Sequence, residues 1–367
     1  MEIHYIGNNG NISSESIIGR NNIVKKLHEV GEDYLMSHIS SKILTSDMDG
    51  VLIIDDNARD MCRIIGGDEA LEYFTKVANS NIDAVARGET SYCWNAPCVF
   101  VGSILNGLPS EINSIVGKHM RFVPGTRENI EQLQKLGYNI TNVTAGHQEG
   151  AQQVSQRLGL EKTIATQFGQ NNGIYNGEIL RFIGGEHKRN TVKKILFNKD
   201  TKIWTGSHIG DSHSDIETML AHPGSIAWNP THTLATHSAR INVFGTNKQG
   251  LTPLFDSHGV FDHQIKESDL PQKIVICEDR TDITSNPHSK ISQAQNQWGL
   301  DMRKIYGDEI DAQLSYAQMM QNIKSEIKSV TGLGEKEFKE HMDANKEEIF
   351  LPIEEFQQNA LKAYKRL

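Results

Sequence analysis

The chain has 367 residues, room for two modest domains or one core with additions. Hydrophobic residues make up 37% and charged residues 23%, a globular profile, and no apolar run approaches the roughly 20 residues needed to cross a bilayer. A formal net charge of -9 argues against general nucleic-acid binding. The first residues, Met1 to Tyr5, lack a basic stretch followed by an apolar core, and Cys62, Cys93, Cys98 and Cys277 have neither zinc-ribbon nor disulfide-framework spacing. A cytoplasmic protein with reduced thiols is expected, without membrane or nucleic-acid partners.

In chain order, residues 1–40 open with a turn-rich segment and continue with Ile17, Ile23, Val24, Leu27, Val30 and Tyr34 at roughly helical spacing. An N-terminal helical segment is expected there. The stretch Ile43-Leu44-Thr45-Ser46-Asp47-Met48-Asp49-Gly50-Val51 then reads as a buried parallel strand whose carboxyl end opens into a site. Side chains at i and i+2 share a face of a strand, so Asp47 and Asp49 point at one substrate, where one carboxylate attacks and the other handles a proton.

Residues 58–121 read as helices and loops, with Leu71, Phe74, Val77 and Ala78 on one face and a further helix after Leu108-Pro109-Ser110. Placed straight after a strand end, this block is expected to cover it as a lid. From residue 122 strands and helices alternate again. A helix carries Ile130 and Leu133, and a strand over Tyr138 to Val143 ends at Thr144-Ala145-Gly146. A helix with Val154 and Leu158 comes next, then a strand at Thr163 to Phe168, which Glu178 to Ile183 follows as a short strand pair. A helix over 187–197, a strand over Thr201 to His208, and short strands at Ile226 to Trp228 and Ile241 to Phe244 complete the pattern. The repeat predicts an α/β fold with a Rossmann-like parallel sheet and helices on both faces. The expected domains are a catalytic core over 41–57 and 122–264, a helical cap over 58–121, and a helical C-terminal extension over 265–367. In that extension, residues 308–330 and 352–367 carry amphipathic patterns that pack on the core or on a second subunit, leaving a homo-oligomer open.

The strand ends present Asp47 and Asp49, then Thr144, Lys188, and Asp211 with Asp215. In this order they resemble the haloacid dehalogenase-like hydrolase superfamily, most of whose members are phosphatases. Its Asp-x-Asp-Gly-Val/Thr motif matches Asp47 to Val51, its strand ending in Ser or Thr matches Asn142 to Gly146, its lysine matches Lys188, and its Gly-Asp-x-x-x-Asp motif matches Gly210 to Asp215. A helical cap between the first two motifs, together with Gly107-Leu108-Pro109, Pro124-Gly125-Thr126 and Ile226-Ala227-Trp228-Asn229, looks like the phosphoserine phosphatase-like branch. Asp56 matches the substrate-holding acid of that branch. Near its substrate-holding arginine this chain has Val99-Phe100-Val101.

The resemblance implies a Mg²⁺-dependent phosphomonoester hydrolase. Asp47, the Asp49 backbone carbonyl and Asp211 would hold the ion, with Asp215 orienting Lys188 or the metal shell. Asp47 would be the nucleophile and Asp49 the general acid and base, while Thr144, Lys188 and backbone N–H groups near Gly50, Ala145 and Gly146 bind the phosphoryl oxygens. Asp56, Arg59 and Trp94 are candidates for contact with a small phosphorylated substrate. A lone lysine at a helix start is ordinarily solvated, and Asp211 and Asp215 have an ordinary reading as turn and cap residues. His147, His187, His208 and His213 lie beside the motifs, but the oxygen donors already account for the ion. Transfer of the phosphoryl group to an acceptor other than water shares the same intermediate. A non-catalytic scaffold acting through the C-terminal helices is the alternative of another class.

Overall fold

The computed structural model describes residues 3–4, 42–86, 95–123, 126–135, 137–222, 225–228, 241–244, 264–265, 274–277 and 314–364. The expected helix within 1–40, Trp94, Pro124-Gly125 and Asn229 lie outside them, as does nearly all of 265–313.

The main elements are β1 (Ile43–Ser46), α1 (Asn57–Ala86), α2 (Asn95–Leu105), α3 (Glu111–His119), α4 (Thr126–Lys135) and β2 (Asn139–His147). They continue with α5 (Gln148–Arg157), β3 (Lys162–Asn171), β4 (Ile174–Arg181), α6 (Gly185–Leu196), β5 (Ser207–Gly210) and α7 (Ile216–Ala221). The strands β6 (Ser225–Trp228), β7 (Ile241–Phe244) and β8 (Ile274–Cys277) follow, then the helices α8 (Tyr316–Thr331), α9 (Glu335–Ala344), α10 (Lys346–Ile349) and α11 (Ile353–Tyr364). The fold is α/β, with a parallel-dominated sheet and helices on its two sides. Among the described residues, no helix is long and apolar enough to cross a membrane.

The chain divides into two compact units, Met1–Leu52 with Phe122–Ile140 and Arg189–Ala312, and Ile53–Arg121 with Thr141–Lys188 and Gln313–Leu367. This division differs from the boundaries expected above, because Thr141–Lys188 and the C-terminal helices group with the helices that follow β1.

In the first unit, β1, β5, β6, β7 and β8 are neighbours in the order β8-β7-β6-β5-β1, every pair parallel. Parallel strands are covered on both faces, so their side chains are buried irrespective of alternation. The four residues of β5 are all buried, as are Leu44, Thr45 and Ser46 of β1. Two of these four positions in β1, and two in β5, are nevertheless polar. The strand expected over Thr201 to His208 is interrupted: Ile203–Trp204 pairs antiparallel with Phe197–Asn198, and β5 starts at Ser207. Gly206 makes the break, with φ +76° and a position at which a Cβ would lie 2.1 Å from the Ile43 carbonyl oxygen.

In the second unit, β2 and β3 run parallel and β3 turns back into β4 as an antiparallel pair, matching the short strand pair expected there. Helices α3 and α5 pack backbone to backbone, since a Cβ on Gly117 would lie 2.2 Å from the Gly150 carbonyl oxygen. Helix α1 is broken at Gly67, which has φ 64° and ψ -154°. The C-terminal helices pack on α1, α2 and α3. Phe350 and Phe356 join Tyr73 and Phe100 in an aromatic cluster with ring centroids 4.9 to 6.2 Å apart.

Candidate active site

The first unit gathers three carboxylates. β1 and β5 are adjacent and parallel, with Thr45 opposite His208 and Ser46 opposite Ile209, so Asp47 and Asp211 leave the sheet side by side. The Asp47 N–H donates to the Ile209 carbonyl at 2.8 Å, carrying the ladder one residue past β1. A 3₁₀ turn over His213–Asp215 then brings Asp215 back. Asp47, Asp211 and Asp215 each offer an oxygen within 4.8 Å of the others, and all three are buried. Three carboxylates at that separation away from water repel strongly unless a cation lies among them. The donors are hard oxygens, the set that Mg²⁺ prefers, so the residues present fit the ion.

The backbone around the cluster leaves no room for ordinary side chains. Gly50 has φ +76°, and a Cβ there would lie 2.4 Å from Asp211 Oδ2. A Cβ on Gly210 would lie 2.3 Å from Asp215 Cγ. Asp47 Oδ1 accepts from the Met48 N–H at 2.8 Å, and Ser214 Oγ lies 3.4 Å from Asp47 Oδ2 and 3.2 Å from Asp215 Oδ2, so that its single hydrogen serves the nearer Asp215. Asp49, two residues on, is half-buried. Asp215, expected to act behind the metal ligands, lies in the cluster itself.

The second unit holds the remaining motif residues. Thr144 is fully buried on β2, and its Oγ1 accepts a hydrogen bond from the Gly146 N–H at 2.9 Å. Ala145 is also buried, with its carbonyl 3.8 Å from Cys98 Sγ. Lys188 sits in the first turn of α6 and is fully buried, which removes the reading of a solvated helix-start lysine. His147 closes β2, is fully buried, and has both ring nitrogens without a hydrogen-bond partner among the described residues. Burial pushes its pKa down to about 3, so it is neutral.

Two of the substrate candidates occupy each other. Asp56 Oδ1 accepts from the Arg59 N–H at 3.0 Å in the first turn of α1, and Oδ2 lies 3.3 Å from Arg59 Nε. That is a capping arrangement on a half-exposed surface. The acid buried nearby is Asp55, which receives Arg121 Nη2 at 2.6 Å, Arg121 Nε at 3.1 Å and the Arg121 N–H at 2.7 Å. Sequence reasoning missed this pair, along with Asp60 and Ser214, and it noted His208 beside the motifs without giving it a role. For His208 a signal was present, since it lies two residues before Gly210 on a buried strand.

No family model matches the chain. Among curated proteins, the phosphoserine phosphatase of Archaeoglobus fulgidus is 22% identical over 223 residues, 59% of this chain and 62% of that protein. The phosphoserine phosphatase of Streptomyces coelicolor is 24% identical over 210 residues, 56% of this chain and 48% of that protein. A solved structure of a phospho-aspartyl intermediate analogue of phosphoserine phosphatase gives a TM-score of 0.44 at 20% identity, covering 55% of this chain and 91% of that one. The chain thus spans 48% to 62% of the length of these two curated relatives. Over rather more than half of its own length, it is similar to phosphoserine phosphatases, the group that its motifs resemble.

Proposed function

We propose that the protein is a Mg²⁺-dependent phosphomonoester hydrolase that works through an aspartyl-phosphate on Asp47. The observation that supports this most is the buried gathering of Asp47, Asp211 and Asp215 at the ends of two neighbouring parallel strands. Asp47, Asp211 and the Asp49 backbone carbonyl would hold the ion, with Asp215 beside them. Bound there, the ion would offset the repulsion between a phosphate anion and a carboxylate nucleophile.

The chain's own groups supply the rest. Asp47, its Oδ1 held by the Met48 N–H, attacks phosphorus as the bond to the leaving oxygen breaks. Asp49 protonates that leaving alkoxide, then takes a proton from the water that attacks the acyl phosphate, releasing inorganic phosphate and restoring Asp47. Lys188 and Thr144, with backbone N–H groups near Gly50, Ala145 and Gly146, are assigned to the phosphoryl oxygens on motif order. The helices of 58–121 are assigned the part of a cap that selects a small phosphorylated substrate. Phe100 and Val101 are fully buried, with Phe100 inside the aromatic cluster, so that stretch offers no cation to a substrate carboxylate. A monoester other than phosphoserine is therefore the proposed substrate.

The test is hydrolysis of an aryl phosphate by the purified chain. Release of phosphate is expected with Mg²⁺ and not with EDTA, and Asp47→Asn abolishes it. Unchanged turnover in the Asn variant refutes the nucleophile. A panel of phosphometabolites, with and without an added alcohol acceptor, then identifies the substrate and separates hydrolysis from transfer.

A further inference from the structure

We propose that His208 is a positioning residue for the carboxylate cluster, fixing Asp215 in its place through a buried Thr45–His208–Asp215 hydrogen-bond chain. The proposal rests on the reading of that cluster as a cation site, and it concerns a histidine to which the motif assigns no role.

The geometry lies wholly within the first unit. Thr45 and His208 are directly opposite each other on the paired strands β1 and β5, and both are fully buried. His208 Nε2 is 3.0 Å from Asp215 Oδ1, and Nδ1 is 3.0 Å from Thr45 Oγ1. A carboxylate only accepts, so Nε2 carries a hydrogen and donates to it. In a neutral imidazole Nδ1 is then an acceptor, and the Thr45 hydroxyl donates to it rather than to the Ser207 carbonyl, which is farther away at 3.4 Å. The threonine thereby selects the tautomer, and the tautomer sets the direction of the bond to Asp215.

Asp215 is held at its other oxygen as well, where Ser214 Oγ lies 3.2 Å from Oδ2. A carboxylate with donors on both oxygens cannot rotate away from two like charges without breaking one of those bonds. Repulsion from Asp47 and Asp211 would otherwise turn it outward when no cation is present. The chain therefore preorganises the cluster, and a histidine beside the cation site serves as a donor to a carboxylate and not as a ligand. Burying an imidazole in a core strand is costly unless both nitrogens are satisfied, and here both are.

The test compares wild type, His208→Leu, His208→Gln, His208→Asn and Asp211→Asn, each assayed for binding of Mn²⁺ alone by electron paramagnetic resonance, with circular dichroism and the thermal midpoint as controls of folding. Leu fills the space but cannot donate, and Mn²⁺ affinity is expected to fall about 10- to 100-fold. Gln can place its amide N–H where Nε2 stood, so affinity returns to within a few-fold of wild type, whereas the shorter Asn does not restore it. A folded Leu variant with wild-type affinity overturns the proposal. So do equal affinities of the Gln and Asn variants, a comparison that holds even where the Leu variant does not fold. If instead Asp211→Asn binds Mn²⁺ as wild type does, it is the cation-site reading that fails.

Discussion

Asp60 provides a quantitative test of how the second unit is held together. It lies in the first turn of α1 and is 4% exposed. Its Oδ1 accepts from the Tyr316 hydroxyl of α8 at 2.5 Å, while Oδ2 has no partner among the described residues. Tyr316 in turn accepts from Arg63 Nη1 at 2.7 Å, and its ring lies under the guanidiniums of Arg63 and Arg121 at 5.3 and 5.5 Å. Burial, aided by the charges of Asp55 and Asp56 and opposed by Tyr316 and Arg63, raises the Asp60 pKa from 3.8 to about 8. The folded chain thus keeps this proton to about pH 8, while the unfolded chain releases it near pH 4. Between those values folding takes up a proton, so stability is highest at the acid side and falls as pH rises, by at most about 1.4 kcal/mol per unit. Above about pH 8 the loss is complete. His147 acts the other way, since its folded pKa near 3 lies below the ordinary 6.5 and costs stability as pH falls below 6.5. The two slopes oppose each other below pH 6.5, which leaves pH 6.5 to 8 as the window for Asp60, with a fall of about 2 kcal/mol. Urea unfolding across that window reads it out. Asp60→Asn, uncharged at every pH, should remove about 2 kcal/mol of the wild-type decline. An Asn variant whose stability falls as steeply as wild type between pH 6.5 and 8 refutes the reasoning.

Two further outcomes follow from the geometry. Gly50→Ala puts a Cβ on a left-handed backbone and 2.4 Å from Asp211 Oδ2, so aryl-phosphatase activity should fall by about a hundredfold or more; near-normal activity would show that the loop has another way to accommodate a side chain. Arg121→Met leaves Asp55 buried without its bidentate partner, and urea unfolding should report a loss of about 3 to 5 kcal/mol, with a loss below about 1 kcal/mol counting against a buried ion pair.

Much of the fold was legible because periodicity survives in the individual elements. Ile130 and Leu133 mark α4, and Met319, Met320, Ile323 and Ile327 mark α8, which starts at Ser315 with a capping box to Gln318 and ends at Gly332 in the left-handed region. What escaped is set by tertiary neighbours. The break at Gly206 depends on the Ile43 carbonyl oxygen, 163 positions away in the chain and invisible to a local reading. Helix α9 presents only Phe338 and Met342 to the interior, too few apolar positions to announce a helix between two stronger patterns. Of the adjacent acids Asp55 and Asp56, one is buried against Arg121 and the other caps α1, a choice made by burial that a sequence of two aspartates cannot express. The candidate acids Asp47 and Asp211 and the hydroxyl of Thr144 were legible for a different reason, since they lie at or near strand ends, whereas Lys188 stands in the first turn of α6 and was found by motif order.

The polar content of β1 and β5 connects these points. A strand covered on both faces gains most from Val, Ile and Leu. Here Thr45 and Ser46 interrupt that pattern directly before Asp47, and Ser207 and His208 interrupt it within the four residues before Asp211. Ser46 donates to the Asp47 carbonyl at 2.8 Å, and Thr45 and His208 form the chain that ends on Asp215. Two of these departures, Thr45 and His208, are thus spent on orienting a clustered acid, and Ser46 braces the backbone of another, with the apolar burial left to Leu44 and Ile209. Such a pattern is costly for stability and has no structural return unless those acids must be held in a fixed relation before a cation arrives. It follows that replacing the polar strand residues by apolar ones of similar shape should leave the fold intact while weakening the cluster, the opposite of what a core mutation ordinarily does.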